Sequence, residues 1–555
     1  MKKIILLLCI GSTIQAQAQT MGFFYKDPAS LDGYVLFAPG SSDTTYLIDK
    51  CGKRIHHWVS SYHPGLAVYL LSDGSLQRCG DVGNNQFLGG GTGGIVERYD
   101  WEGNLTWSYE ISDNDQCQHH DVMPLPNGNV LAIVWESHTK DDALNNGRKT
   151  GNFTEMWSDK LVEIKPDGLY GGEIVWQWRA WDHLIQDNDA SKLNYGVVKE
   201  HPELIDINLG TLSSFSADWL HINGVDFDTA RNQIICSSHN VSELWVIDHS
   251  TTMDEAASHI GGKSGKGGDL LYRWGNPQNY DRGTTTDQVI HQQHNPTWIP
   301  ATYPGSGSIM VFNNGVGQSG TDYSTVSTFT PPQMVDNNYP IEPDSAYDPK
   351  KPEWVYTADP ANSFFSFVMG GAQRLSNGNT LICEANSGEM FEVDSASNEV
   401  WRYINPIGSN GKPMTQGNNP SGNSAFRCTY YPFNYPAFLD KDLIPGSPIE
   451  NNPLAYDCTN TIPTGISTFI SHNKNLTAYP NPFINSFNIY IPVELNNAIL
   501  QVRDITGRIL FEEKNFSSSP SNSIPIAING YKGIVILSVH DVEGKNIWNA
   551  TAVSQ

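Results

Sequence analysis

Basic residues are scarce: Lys and Arg number 34 against 59 Asp and Glu, for a formal net charge of −25. Nucleic acid is thereby excluded as a partner, because its phosphates need a basic face. Any anionic small molecule has to be held by a local cluster of donors, since the protein's overall field repels it. Past the first twenty residues no segment approaches the ~20 consecutive apolar positions of a membrane-spanning helix. Long helical periodicity is missing too. Cysteines are few, eight in all, and none has metal-finger spacing. The Gly-rich stretch 249–274, HSTTMDEAASHIGGKSGKGGDLLYRW, lacks the Walker spacing and a following helix. It reads as a loop or lid, with Lys263 and Lys266 as the cations it offers.

What the chain has is aromatic residues and turns: 15 Trp, 24 Tyr and 50 Gly in 555 residues. That length suits one large repeat-built domain or several domains. The start has a Lys2-Lys3 charged region, an apolar run from Ile4 to Ile10 and small residues before a cut after Ala16 or Ala18. This predicts a secretory signal peptide over residues 1–19, and so an exported chain, secreted or held at the cell surface after passing the periplasm. Export permits disulfides, and with Cys9 removed in the signal peptide seven cysteines remain, with Cys51–Cys79 and Cys428–Cys458 as local candidates and at least one thiol left over.

A Trp recurs near the end of short β-like segments, at Trp58, Trp107, Trp176, Trp274, Trp354 and Trp401. After several of them comes a turn signature, LSDGSL at 71–76, LPNGNVLAI at 125–133 and LSNGNTLICE at 375–384. Asp-Gly and Asn-Gly between alternating apolar residues predict tight hairpins with positive φ at both turn residues. Six such units predict six four-stranded sheets, and a six-bladed β-propeller protects their edges by closing radially. Closure pairs the early strand GYVLFAP (33–39) with FRCTYYP (426–432). The fold class expected is all-β, with the propeller over 20–455, a linker over 456–474 and a small β-sandwich of seven or so strands over 475–555.

The histidines raise the functional question. His120 precedes Leu125-Pro126 by the same count as His294 precedes Ile299-Pro300, and DWLHINGVDF places His221 in the matching part of the unit between them. The first and fifth units carry Leu66 and Gly370 there. Equivalent positions on neighbouring blades share radius and height, so the three imidazoles are expected to face one another. His119, if on a strand, points to the opposite face from His120. His291 falls in the preceding loop, while His56 and His57 read as packing or surface residues. Converging histidines suit either a transition metal or an anion bound by two imidazoles and attacked by a third.

The pieces HHDVMPLPNGN, DWLHINGVDFD, IICSSHNVSELWVID and HQQHNPTWIP resemble those of the arylsulfate sulfotransferases, over about residues 30–440. DWLHIN followed by SSHN eighteen residues on is the most specific part. The resemblance implies an exported six-bladed propeller that moves a sulfuryl group from an aryl sulfate donor to a phenolic acceptor through a sulfohistidine, without cofactor or metal. Carried over by position, His294 is the nucleophile, His221 and the pair His119/His120 supply binding and acid–base imidazoles, and Asn223 donates to a sulfate oxygen. Where the family has an arginine this chain has His239, which offers one donor in place of a permanently charged fork. Trp219 and Trp298 stand nearby as candidates to stack the substrate's ring. Two other readings remain: a non-catalytic propeller binding a sulfated or polysaccharide ligand, and a metal-dependent hydrolase or lyase. The tail, through YPNPF (479–483), VRDITGRIL (502–510) and GYKGIVILSV (530–539), resembles the sorting domain of the type IX secretion system. That implies the export machinery as its partner.

Overall fold

The computed structural model describes residues 19–456 except 214 and 319, residue 458, and most of 477–554. The expected signal peptide and nearly all of the expected linker lie outside the described residues. Strand accounts for 43% of the chain and helix for 6%, so the all-β class holds.

Among the described residues before the linker there are six antiparallel sheets of four or five strands. The first is Ala425–Tyr431, Tyr34–Pro39, Thr44–Asp49 and Arg54–Val59, in that order. The second runs His63–Leu70, Leu76–Asp81, Gly94–Tyr99, Leu105–Glu110, and the third Gln116–Pro124, Val130–Thr139, Glu155–Asp167, Gly171–Arg179. The fourth is Ile222–Asp228, Gln233–Ser238, Glu243–Asp248, Tyr272–Trp274; the fifth His294–Trp298, Ile309–Asn313, Thr325–Phe329, Trp354–Tyr356. The sixth, Gly371–Arg374, Thr380–Glu384, Glu389–Val393 and Glu399–Ile404, gains Gly22–Lys26 on its outer edge. The leading strand of each sheet packs against the leading strand of the next, and Ala425–Tyr431 meets both Gly371–Arg374 and His63–Leu70, so the series returns on itself in a β-propeller-like ring. Closure is as the sequence indicated, with Tyr34 opposite Tyr431 and Phe37 opposite Cys428.

The six recurring tryptophans all lie on the last of the four successive strands of their sheets. Their spacing follows from what the indole N–H does. Trp58 donates to the Asp100 carbonyl, Trp107 to Gly171, Trp176 to Thr251 Oγ1, Trp274 to Pro349 and Trp401 to Lys50, each acceptor belonging to the next sheet of the ring. Trp354 makes the sixth link through the Arg374 guanidinium, 5.0 Å from its ring. Each bond contributes ~1 kcal/mol, so the sheet-to-sheet joints are fastened in addition to being packed.

The hairpin turns differ from expectation. Only Gly74, Gly128 and Gly378 have positive φ, at 92°, 88° and 93°, while Asp73, Asn127 and Asn377 do not. Each acidic or amide side chain instead accepts the N–H two residues on, from Ser75, Asn129 and Asn379. The loops are therefore three-residue turns closed by a left-handed glycine.

The expected cysteine pairs are also corrected. Cys51 bonds to Cys458 with their Cα atoms 5.6 Å apart, and Cys79, Cys117, Cys236, Cys383 and Cys428 are buried thiols. Local spacing had favoured short loops, but the ring brings sequence-distant ends together. The described residues of 477–554 belong to a separate compact unit. It holds seven strands ordered Ile509–Ser518, Leu495–Asp504, Gly533–His540, Asn546–Ser554, Thr477–Ile484, Ser486–Tyr490, Ser523–Ala527. Its core includes Phe487, Leu500, Val502, Ile526, Val535 and Leu537.

Candidate active site

His120, His221 and His294 converge, and His119 and His239 join them. Ring centroids run 5.2 Å from His119 to His120, 4.6 Å from His120 to His221, 5.0 Å from His221 to His239 and 5.3 Å from His239 to His294. The cluster sits at one end of the leading strands: His294 begins the fifth sheet's, His221 immediately precedes the fourth sheet's, and His239 follows that sheet's second strand.

His119 does not point away from His120 as strand alternation predicts. His120 is left-handed, with φ of 55°, inside a bulge between Gln118 and Val122, and this turns both rings into the cluster. Their Nδ1 atoms lie 3.0 Å apart and share one proton. His119 stacks on Trp135 with ring centroids 3.8 Å apart, and its Nε2 lies 3.0 Å from Asp159 Oδ1. His221 is likewise left-handed, at 54°. In the fifth sheet the left-handed residue is Asn295, one past His294, so the units match in place but not in every backbone angle.

Three of the imidazoles are held in the same tautomer. Asn314 donates its Nδ2 hydrogens to the Ser366 and Met369 carbonyls, which turns its Oδ1 toward His294 Nδ1 at 2.8 Å. The Met369 N–H approaches His294 Nε2 at 3.2 Å, so Nε2 carries the lone pair. Asn240, fixed by donating to the Asp218 carbonyl, accepts His239 Nδ1–H at 2.9 Å. Asp218 accepts His221 Nδ1–H through Oδ2, while its Oδ1 takes the Trp135 indole N–H at 3.2 Å. Among the described residues Nε2 of His221 and of His239 has no hydrogen-bond partner.

Burial sets the charge. It holds His119 and His120 well below the usual histidine range, and the neighbouring imidazole of His221 adds to this. His294 is depressed by burial and then by His239, and His239 falls to about 4 through burial and then His221. Desolvation and like neighbours act in the same direction, so at neutral pH these four rings are neutral. That makes them lone-pair donors first, and cations only when an anion arrives with a proton.

One permanent cation stands beside them, and sequence reasoning missed it. Arg427, on the ring-closing strand, lowers the proton affinity of His294 and lies with its guanidinium 4.4 Å from the Phe426 ring. Its Nη2 is 3.0 Å from Asp121 Oδ2, and Tyr69 donates to the other Asp121 oxygen at 2.6 Å. A charged residue inside the otherwise apolar stretch FRCTYYP was the available signal. Asp218, Asp159, Asn314, Trp135 and Phe426 were missed as well, because each lies outside the histidine pattern.

Also unforeseen is the loop LGGGTGG at 88–94, which crosses the cluster. A Cβ on Gly91 would meet His120 Cε1 at 2.2 Å, one on Gly89 would meet the Trp135 ring at 2.6 Å, and Gly90 lies near His221. Only glycine allows this backbone so close to the rings, and Gly91 also has φ of 81°.

Three expected binding residues fall elsewhere. Trp219, 1% exposed, donates to the Leu209 carbonyl inside the largest core cluster. Trp298 packs against another core cluster under the Arg231 guanidinium. Asn223 is fully buried, and its Nδ2 donates to the Gln293 carbonyl at 2.8 Å, a bond that ties the fourth sheet's leading strand to the segment entering the fifth. Trp219 and Asn223 are each two residues from His221 and Trp298 is four from His294, but closeness in sequence does not bring their side chains to the cluster. The aromatic rings that do touch the cluster are Trp135 and Phe426. The loop 249–271 packs on the third sheet's outer strand through Met253–Ala256, and the Lys263 backbone N–H donates to Ser250 Oγ.

A family model described as Arylsulfotransferase (ASST) matches residues 40–416. No curated protein matches the sequence. Solved structures similar to the chain include a protein of unknown function from Bacteroides caccae, at 10% identity over 72% of this chain and 99% of that one, with a TM-score of 0.39. A putative 6-phosphogluconolactonase from Bacteroides fragilis aligns at 10% identity over 73% and 99%, with a TM-score of 0.33. Virginiamycin B lyase from Staphylococcus aureus aligns at 11% over 72% and 87%, with a TM-score of 0.30. Similarities this loose carry no argument about activity.

Proposed function

Because the chain belongs to the arylsulfotransferase family, we propose that it is a six-bladed propeller that transfers a sulfuryl group from an aryl sulfate to a phenol through a sulfohistidine. The observation that supports this most is the run of imidazoles with rings about 5 Å apart, three of them with Nε2 unprotonated. His294 Nε2 gives up its weak contact with the Met369 N–H and attacks sulfur. The N–S bond forms as the S–O bond to the aryl group breaks, and the electron pair leaves on the phenolate oxygen. A phenol, with pKa ~10, leaves well only if protonated or stabilised. His221, which takes up a proton on Nε2 from solvent as the anionic donor binds, passes that proton to the leaving oxygen, its imidazolium held by the Asp218 carboxylate on the other nitrogen. The acceptor phenol then returns its proton to His221 as its oxygen attacks sulfur, and His294 is released.

His239, His120 and Arg427 complete the charge around the sulfuryl oxygens. The anion draws a proton onto the first two, since a neutral ring gains little from facing an oxyanion with its lone pair. Losing one such donor costs ~3 kcal/mol in comparable sites. The residues 475–555 form a small sandwich that addresses the chain for export by the type IX machinery, and the protein works outside the cell or on its surface. The test is incubation of the full chain with 4-nitrophenyl sulfate and phenol, with mass analysis of protein exposed to donor alone. An added sulfuryl group on the peptide containing His294, and loss of turnover in His294→Ala, are expected. Undiminished nitrophenol release by His294→Ala removes it from this role.

A further inference from the structure

A second group of histidines lies apart from the catalytic cluster. His183 follows the outer strand of the third sheet, and His259 and Asp269 sit on the inserted loop between the third and fourth strands of the fourth sheet. Their ligand atoms all lie within 4.8 Å of one another, and among the described residues this is the set that meets the geometry of three converging metal donors. The five imidazoles of the active site do not meet it.

The hydrogen bonds within the group do not balance for neutral rings. His183 Nε2 is 2.9 Å from the Ala256 carbonyl, which can only accept, so Nε2 carries a proton. Its Nδ1 is 2.8 Å from Asp269 Oδ1, also an acceptor, and His259 Nδ1 is 2.7 Å from that same oxygen. A neutral His183 therefore turns a lone pair toward a carboxylate oxygen. Something positive has to lie between them, either a second proton on a ring that is fully buried or a metal ion.

The surroundings favour the ion. A metal-bound imidazole characteristically donates its other ring N–H to a backbone carbonyl, which fixes its tautomer and raises its basicity. His183 does this to Ala256 and is stacked beside Trp178 at a centroid distance of 5.8 Å. A Cβ on Gly268 would lie 2.5 Å from His183 Nε2, so the loop's glycine is what lets the backbone close over the ring. In a tetrahedral zinc site with bonds of about 2.0 Å the donor atoms stand about 3.3 Å apart. The two separations to Asp269 Oδ1, 2.8 and 2.7 Å, are shorter by about half an ångström, the contraction expected when ligands hydrogen-bond directly to one another, and the two imidazole nitrogens lie within 4.8 Å. His259, 59% exposed, sits on the loop side and has room to move outward by that amount.

We propose that His183, His259 and Asp269 bind a divalent transition metal ion, zinc by preference, which pins the inserted loop to the third sheet and leaves one position open to water. Two imidazoles and one carboxylate suit zinc over calcium or magnesium, which take all-oxygen sets. The site is structural to the loop and makes no contact with the sulfuryl-transfer residues.

The test uses the full chain, stripped with chelator and titrated with zinc chloride alone, read by calorimetry and by proteolysis at Lys263 and Lys266. One zinc per chain is expected, with loop cleavage slowed when it is bound. His259→Ala, an exposed position that folding tolerates, and Asp269→Asn should each weaken binding at least tenfold and abolish the protection. Zinc uptake equal to wild type in His259→Ala would place the ion elsewhere, the catalytic histidines included, and overturns the proposal. So does failure of the unsubstituted chain to take up zinc at micromolar concentration.

Discussion

The resemblance in sequence sets His239 against the family's arginine, and the effect of placing an arginine there can be worked out. In the empty site His239 is held at about 4 by burial and by the neighbouring His221. Donating to a sulfuryl oxygen from Nε2 requires it to be protonated, because Nδ1–H is already given to Asn240. At pH 7 that proton lies about three pH units uphill, or about 4 kcal/mol at 1.36 per unit. The ring keeps some solvent contact, which lowers the figure to ~3 kcal/mol. A His239→Arg variant carries the charge without that cost and should raise kcat/KM at pH 7–8 by roughly 10²-fold. The pH profile is the sharper readout. With 4-nitrophenyl sulfate, which does not titrate in this range, the fall of kcat/KM as pH rises from 6 to 8 should be shallower in the variant than in the wild type by about a factor of ten per unit, the share of the one proton that His239 no longer has to take up. An arginine variant with the wild-type slope would mean that the proton is taken up elsewhere and that His239 does not face the sulfuryl group.

Gly91→Ala should cost most of the activity while the protein still folds, since the added carbon lands on the His120 ring and the backbone is left-handed there; kcat measured beside thermal melting separates the two effects. Acid should destabilise the fold as pH drops below about 6.5. His119, His120, His239 and His294 have folded-state proton affinities below those of the unfolded chain, so the stability they confer is present above that pH and is lost as pH falls toward the folded values. Denaturant midpoints at pH 7 and 5 measure this, at up to about 1.4 kcal/mol per pH unit for each ring. Trp274→Phe should cost about 1 kcal/mol or more, because the Pro349 carbonyl loses its donor; urea unfolding checks it.

Much of the architecture could be read because it repeats. The tryptophans mark the last strand of each sheet, and GYVLFAP and FRCTYYP could be matched as ring-closing strands because both are short, apolar and at opposite ends of the series. The convergence of His120, His221 and His294 followed from counting back to a common turn. What the count could not supply was backbone angle. A left-handed residue inside a bulge leaves no mark in the side-chain alternation, so His119 was assigned to the wrong face. Groups recruited from outside the repeat were equally silent: Arg427, Asn314 and Asp218 act through long-range contacts, and the 88–94 loop through the absence of side chains. Trp219 and Trp298 were drawn toward the site by adjacency in sequence, whereas burial decided their place. The Cys51–Cys458 bond joins residues 407 positions apart, a span that no argument from local spacing would reach.

The strand Ala425–Tyr431 both completes the first sheet and delivers Phe426 and Arg427 to the histidines. A chain that appears N-terminus first, from a ribosome or through a pore, has all five imidazoles in hand long before that strand arrives. Until it docks, the reactive rings lack their one fixed positive charge and one wall. On the proposed mechanism, assembly of the wheel and readiness for chemistry are thus a single event, and a chain caught halfway should be inert.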